Sequence, residues 1–64
     1  MRIDWNKIER LAVKKGLCAT ALADRATVSR TTMSTLKVRN SCTIGTAEKI
    51  AKTLNVEIEE IMPD

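Results

Sequence analysis

Residues 18–37 carry the pattern that most restricts the fold of this chain. The apolar pair Leu22 and Ala23 precedes a lone inward Val28 in the turn, which is followed by Met33 and Leu36 at a spacing of three. At about 100° per residue, Met33 and Leu36 share one face of a helix, while hydroxyl side chains and an arginine lie on the opposite face. The pattern predicts two short helices joined by a tight turn, the second buried on one side and polar on the other.

Length and composition limit the remaining possibilities. A chain of 64 residues, 44% of them hydrophobic, predicts one folded domain spanning residues 1–64. The sequence contains no histidine, which removes the usual general base and a common zinc ligand, so we expect neither an enzyme nor a metal or cofactor site. Cys18 and Cys42 are interpreted as reduced thiols, with a single structural disulfide as the less favoured alternative.

Capping signals and apolar periodicity divide the chain into helices. Asp4, Ser29 and Thr43 are candidate N-caps, while Gly16 and Asn55 are candidate helix ends. Two inward stripes are predicted, one of Ile8, Leu11 and Ala12, the other of Ile44, Ala47, Ile50, Ala51 and Leu54. We expect a compact all-α domain of five helices, with the first four at about residues 5–15, 19–25, 30–37 and 44–54 and a short fifth helix capped near Glu57. The last segment alternates enough to be a strand, but a short helix is preferred.

Charge is unevenly distributed along the chain. Residues 25–52 contain six basic residues and one acidic residue, whereas residues 53–64 contain four acidic residues and no basic one. A basic segment centred on a polar-faced helix favours double-stranded DNA as the partner, with an ordinary solvated surface as the alternative. No apolar run approaches the length of a membrane span, and the predicted location is cytoplasmic.

The chain resembles the lambda-repressor-like, Cro-type helix-turn-helix family over about residues 5–62. The matching segments are Gly16-Leu17, Leu22-Ala23, residues 28–34, Leu36, residues 50–56, Ile58 and Ile61. The resemblance implies a five-helix bundle whose third helix enters the major groove. It also implies a transcriptional regulator, of the phage- or prophage-repressor type, that binds a palindromic operator as a dimer.

The sequence departs from the family pattern at four places. Cys18-Ala19 replaces the usual hydroxyl residue and phosphate-contacting glutamine at the start of the second helix. Thr27 replaces a glycine in the turn, so this threonine must either accept a positive φ or change the turn. Lys37 stands where glutamate is frequent, which makes the loop after the third helix more basic. Cys42 stands where proline is frequent.

Matching positions in the family pattern imply two sets of DNA contacts in this sequence. The expected base-reading residues are Arg30, Thr31, Ser34 and Thr35. Arg30 can grip guanine O6 and N7 with its planar fork, and a phosphate clamp is the alternative role. The expected phosphate contacts are Ser29, Lys37, Arg39, Asn40 and Ser41, and a solvated side chain without a DNA contact is the alternative for Lys37 or Arg39.

One recognition helix reads too few base pairs to select a site in a genome, so a homodimer on two half-sites is expected. The candidate interface residues are Trp5, Ile58, Ile61 and Met62, although burial in the core is an equal alternative for Trp5 and Ile61. No small-molecule ligand is expected. The alternative function is a protein-binding module, either an antitoxin or an adaptor, that retains the fold without DNA contacts.

Overall fold

The computed structural model describes all residues from 1 to 64 and is all-helical, as predicted. Its elements are α1 (Trp5–Lys14), α2 (Ala19–Ala26), α3 (Arg30–Arg39), α4 (Ile44–Leu54) and a 3₁₀ turn (Ile58–Ile61). The fifth element is therefore a single 3₁₀ turn rather than an α-helix, and no strand forms there. No helix is both long enough and apolar enough to cross a membrane.

The 3₁₀ turn is short because a capping box defines its start and an extended residue before a proline ends it. Glu57 and Glu60 form a reciprocal capping box at its start. Met62 is extended, at φ −86° and ψ 151°, as expected for a residue that precedes a proline. The chain can thus complete one turn but cannot continue a helix.

Each α-helix begins at a side chain that accepts a backbone hydrogen bond. The predicted caps Asp4, Ser29 and Thr43 accept from the N–H groups two or three residues further on, at 2.9, 3.1 and 3.2 Å. The fourth cap is Cys18, whose Sγ accepts from the Ala21 N–H at 3.5 Å. A thiol therefore occupies the place that a hydroxyl usually takes.

Each α-helix is followed, one or two residues after its last residue, by a residue in the left-handed conformation. These residues are Gly16, Thr27, Asn40 and Asn55, with φ between 53° and 72°. At Thr27 the paired bonds of a Schellman motif are present, from the Thr27 N–H to the Asp24 carbonyl and from the Val28 N–H to the Ala23 carbonyl. The turn thus imposes a positive φ on a β-branched residue.

The core lies between α1, α2, α4 and the 3₁₀ turn, with α3 packed against α2. Its largest fully buried side chains are Ile3, Ile8, Leu22, Leu36, Ile50, Leu54 and Ile61. Leu11 and Val28 are only half-buried at its edge. The predicted inward position of Ile44 is wrong, because this side chain is 61% exposed. It lies about 70° from the centre of the stripe formed by the other apolar residues of α4.

Candidate nucleic-acid interface

The outward face of α3 carries the four predicted base-reading residues. Arg30, Thr31, Ser34 and Thr35 are all exposed. On the opposite face, Met33 and Leu36 are buried, with 5% and 1% of their surfaces exposed. Packing thus holds the helix from behind while its polar face remains open, as the periodicity predicted.

The start of α3 is organised by a pair of hydroxyls. Ser29 Oγ accepts from the Thr32 N–H at 3.1 Å and forms a second hydrogen bond with Thr32 Oγ1 at 2.8 Å. This second bond uses one of the two hydroxyl protons, so the pair keeps the other proton free for a further partner. Sequence reasoning assigned a phosphate contact to Ser29 and none to Thr32. The spacing of three from cap to capped residue is the signal that points to Thr32.

Arg30, Ser34 and Lys37 follow one side of α3 and line a groove of about 230 Å³ with the first turn of α2. Ala19 and Thr20 form the opposite wall. Ala19 has no polar side-chain atom, so the polar groups in this groove come mainly from α3.

The loop after α3 is attached to the N-terminal segment of the chain. Asn40 Oδ1 accepts from the Trp5 N–H at 2.9 Å, and the Asn40 carbonyl accepts from the Ile3 N–H at 3.0 Å. This bond fixes the orientation of the Asn40 side-chain amide, whose NH₂ group keeps both donors for a further partner. Arg39 is exposed, whereas Ser41 is half-buried and pairs with Arg2 in an isolated antiparallel bridge.

α3 is longer than predicted, and this adds a residue to its outward face. The helix runs to Arg39 rather than to about Lys37, so Val38 is helical and 81% exposed. At about 100° per residue, Val38 lies on the same side as Thr31 and Ser34. The sequence prediction placed Val38 in the loop after α3 and therefore did not include it in the outward face of the helix.

The positive charges of α3 have no acidic partners within the chain. The only ion pair joins Lys7 Nζ to Asp64 Oδ1 at 2.6 Å, far along the sequence from α3. Arg30, Lys37 and Arg39 are exposed and unpaired. Their charges are thus free to attract phosphate.

The largest surface groove, about 670 Å³, contains no residue of α3. It lies between α4 and the 3₁₀ turn and is lined by Glu48, Glu57 and Glu60 against the single base Lys52. Three carboxylates against one ammonium group make this groove unsuited to a phosphate backbone.

Two of the four predicted interface residues are buried in the monomer. Trp5 is 8% exposed and donates its indole N–H to Glu9 Oε2 at 3.1 Å, and Ile61 is fully buried. Both side chains are therefore part of the core, which was the alternative interpretation for each of them. Neither offers an exposed surface to a second subunit. Ile58 and Met62 are half-buried and retain accessible surface.

Both cysteines are free thiols, so no disulfide forms. Cys18 is exposed, whereas burial raises the pKa of the half-buried Cys42 thiol. No group of three or more side chains could hold a metal ion.

Comparison with known families agrees with this geometry. The profile of the Cro/C1-type HTH DNA-binding domain matches residues 7–63, nearly the whole chain. No curated protein and no solved structure matches the sequence. The protein therefore belongs to the Cro/C1-type helix-turn-helix DNA-binding family, as the resemblance predicted, and is a DNA-binding regulator.

Proposed function

We propose that this protein is a sequence-specific transcriptional regulator, of the phage- or prophage-repressor type, that binds a palindromic operator as a homodimer. It acts by binding rather than by catalysis. α3 would lie in the major groove of double-stranded DNA, with Arg30, Thr31, Ser34 and Thr35 towards the base edges. The observation that carries the proposal is the exposed face of α3, whose basic side chains have no partner in the chain.

Arg30 is proposed as the main reader of sequence. It stands in the first turn of α3, and the N-terminal part of a recognition helix is the part that contacts base edges. A bidentate contact to guanine contributes about 1–3 kcal/mol of discrimination. Thr31, Ser34 and Thr35 would add hydroxyl contacts, and the threonine methyls would add contacts to thymine.

The proposed phosphate contacts flank the reading face. Lys37, Arg39, the Asn40 amide and Ser41 lie at the C-terminal end of α3 or just beyond it. At the N-terminal end, Ser29 is proposed to act together with Thr32, because the hydrogen-bonded pair of hydroxyls keeps one proton free.

The dimer follows from the size of the domain and from the specificity that an operator requires. The longest extent of the domain is 24 Å. That is short enough for one subunit per half-site when half-sites repeat about every 34 Å along DNA. Ile58 and Met62 remain the proposed interface residues.

Salt dependence of binding to duplex DNA tests the proposal most directly. With three or four phosphate contacts per subunit, a dimer gives a slope of log K against log salt of about −5 to −7. A slope near zero for the wild-type protein would refute DNA binding. That outcome would favour the antitoxin or adaptor alternative, for which the acidic groove beside α4 offers a protein-binding surface.

Arg30 and Arg39 have different proposed roles. Binding of their alanine variants to an operator selected from random sequence, and to its single-base variants, can distinguish these roles. Arg30→Ala should lose about 1–3 kcal/mol, mainly at one or two base positions. Arg39→Ala should weaken all duplexes equally and make the salt slope shallower by about one per lost contact. If Arg30→Ala weakens every single-base operator variant by the same factor, Arg30 is a phosphate clamp.

A further inference from the structure

The N-terminal segment, residues 1–4, is paired with the loop that follows α3. The Ile3 N–H donates to the Asn40 carbonyl and the Cys42 N–H donates to the Met1 carbonyl, both at 3.0 Å. These two bonds flank Arg2 and Ser41, which oppose each other as the non-hydrogen-bonded pair of an antiparallel bridge. Side chains of such a pair stand close together on the same side. Arg2 therefore lies beside a proposed phosphate contact.

The segment is anchored so that Arg2 faces solvent. Ile3 is 1% exposed and packs in the core, whereas its neighbour Arg2 is exposed, as expected when extended residues alternate between two faces. The bond from the Trp5 N–H to Asn40 Oδ1 attaches the next part of the chain to the same loop. Arg2 is thus held in place by its backbone while its guanidinium group remains free.

Arg2 extends the positive surface of α3. Arg2, Lys37 and Asn40 line one cleft of about 330 Å³. Lys37 also lines the groove that contains Arg30, so the two surfaces are continuous. The only carboxylate in the cleft belongs to Asp4, whose Oδ1 already accepts the Asn6 N–H at 2.9 Å as the cap of α1.

We propose that Arg2 contacts a DNA phosphate next to those bound by Lys37 and the residue 39–41 loop. The inference rests on the proposed function and adds a contact from a segment outside the helix-turn-helix. An exposed guanidinium group without an acidic partner presents a planar fork that suits a phosphate, and the adjacent Asn40 amide has its NH₂ group free to donate. The first residues of the chain would thus both position the phosphate-binding loop and contact the DNA.

The experiment compares Arg2→Ala with Arg10→Ala in the full-length chain, using a generic DNA duplex over a range of salt concentrations. Arg10 is an exposed residue of α1 that lines a separate surface with Lys14 and Glu60. Both variants remove one positive charge, so net charge is matched. Arg2→Ala should make the slope shallower by about 0.9 per subunit, or about 1.8 in a dimer, whereas Arg10→Ala should keep the wild-type slope.

A third variant separates charge from backbone pairing. Arg2→Lys should retain the wild-type slope because it retains the charge, and all three variants should keep the wild-type melting temperature because both arginines are exposed. The inference is overturned if Arg2→Ala keeps the wild-type slope, or if Arg2→Lys loses it as fully as Arg2→Ala. A wild-type slope near zero would instead refute the proposed function itself, so the two failures are distinguishable.

Discussion

Replacing Thr27 by glycine should stabilise the protein, although the change removes a side chain. Thr27 is the C-terminal cap of α2 at φ 56° and ψ 39°, in the left-handed region. The equivalent residues of the other helices are glycine or asparagine, the residue types that enter this region most readily. Thr27 alone combines a branched Cβ with a positive φ.

The net effect follows from three contributions. A left-handed conformation costs an ordinary L-residue about 1–2 kcal/mol, which glycine avoids. Glycine loses about 0.5–1 kcal/mol through the greater freedom of the unfolded chain. The bond from Thr27 Oγ1 to the Ala26 carbonyl, 2.6 Å long, is also lost, at a cost of about 0.5 kcal/mol for an exposed residue. Taken at the middle of each range, these contributions raise the free energy of unfolding by about 0.3 kcal/mol, equivalent to about 1–2 °C in Tm for a domain of this size.

Urea denaturation followed by fluorescence of Trp5, the sole tryptophan, measures the change. Trp5 is 8% exposed in the native state, so unfolding transfers its indole to water. Thr35→Gly is the matched control, because Thr35 is exposed in the interior of α3 and its replacement should cost a few tenths of a kcal/mol. If Thr27→Gly destabilises the protein as much as Thr35→Gly does, the reasoning about strain in the turn is wrong.

Two further predictions concern the core and the thiols. Leu36→Ala should lower the free energy of unfolding by about 2–5 kcal/mol in a thermal or urea melt. Val38→Ala, two residues further along the same helix and 81% exposed, should change it by less than about 0.5 kcal/mol. Equal effects would mean that the wrong face of α3 has been placed inward. Burial raises the pKa of Cys42 above its ordinary value of 9.0, so the stability that the neutral thiol contributes is complete below pH 9.0 and is lost as the pH rises through the folded-state pKa. Melts between neutral and alkaline pH should thus show a smaller alkaline loss in Cys42→Ala than in the wild type, and alkylation of the native protein should modify the exposed Cys18 before Cys42.

The parts of the structure that short-range interactions determine are predictable from the sequence. Asp4, Ser29 and Thr43 cap their helices through N–H groups two or three residues away, so each signal is complete within one turn. The inward face of α3 is also predictable from the sequence. Met33 and Leu36 show the helical period, and no apolar residue before Val38 lies on the opposite side of the helix. Local patterns therefore predicted most helix starts and the polar face of the candidate site.

The errors occurred where partners far apart in the sequence decide the outcome. α3 continues to Arg39 because Asn40 takes the left-handed conformation, and the Asn40 side chain is held by the Trp5 N–H, 35 residues away. The pairing of Arg2 with Ser41 spans a similar separation and has no periodic signature. Trp5 appeared suitable for an interface because a single tryptophan near a chain end can be exposed, but α1 packs it inward. Such contacts depend on the assembled fold and could not be read from spacing.

The internal hydrogen bonds at the two ends of α3 have a common consequence for the proposed phosphate contacts. At the start of the helix, the Ser29 and Thr32 hydroxyls are hydrogen-bonded to each other, which leaves one hydroxyl proton of the pair free. At its end, Asn40 uses its Oδ1 to accept from the Trp5 N–H, which orients the NH₂ group away from that bond. Phosphate oxygens only accept hydrogen bonds, so both ends retain the donors that a DNA backbone requires. Because these donors are already held by bonds within the fold, less conformational entropy has to be lost when they bind phosphate.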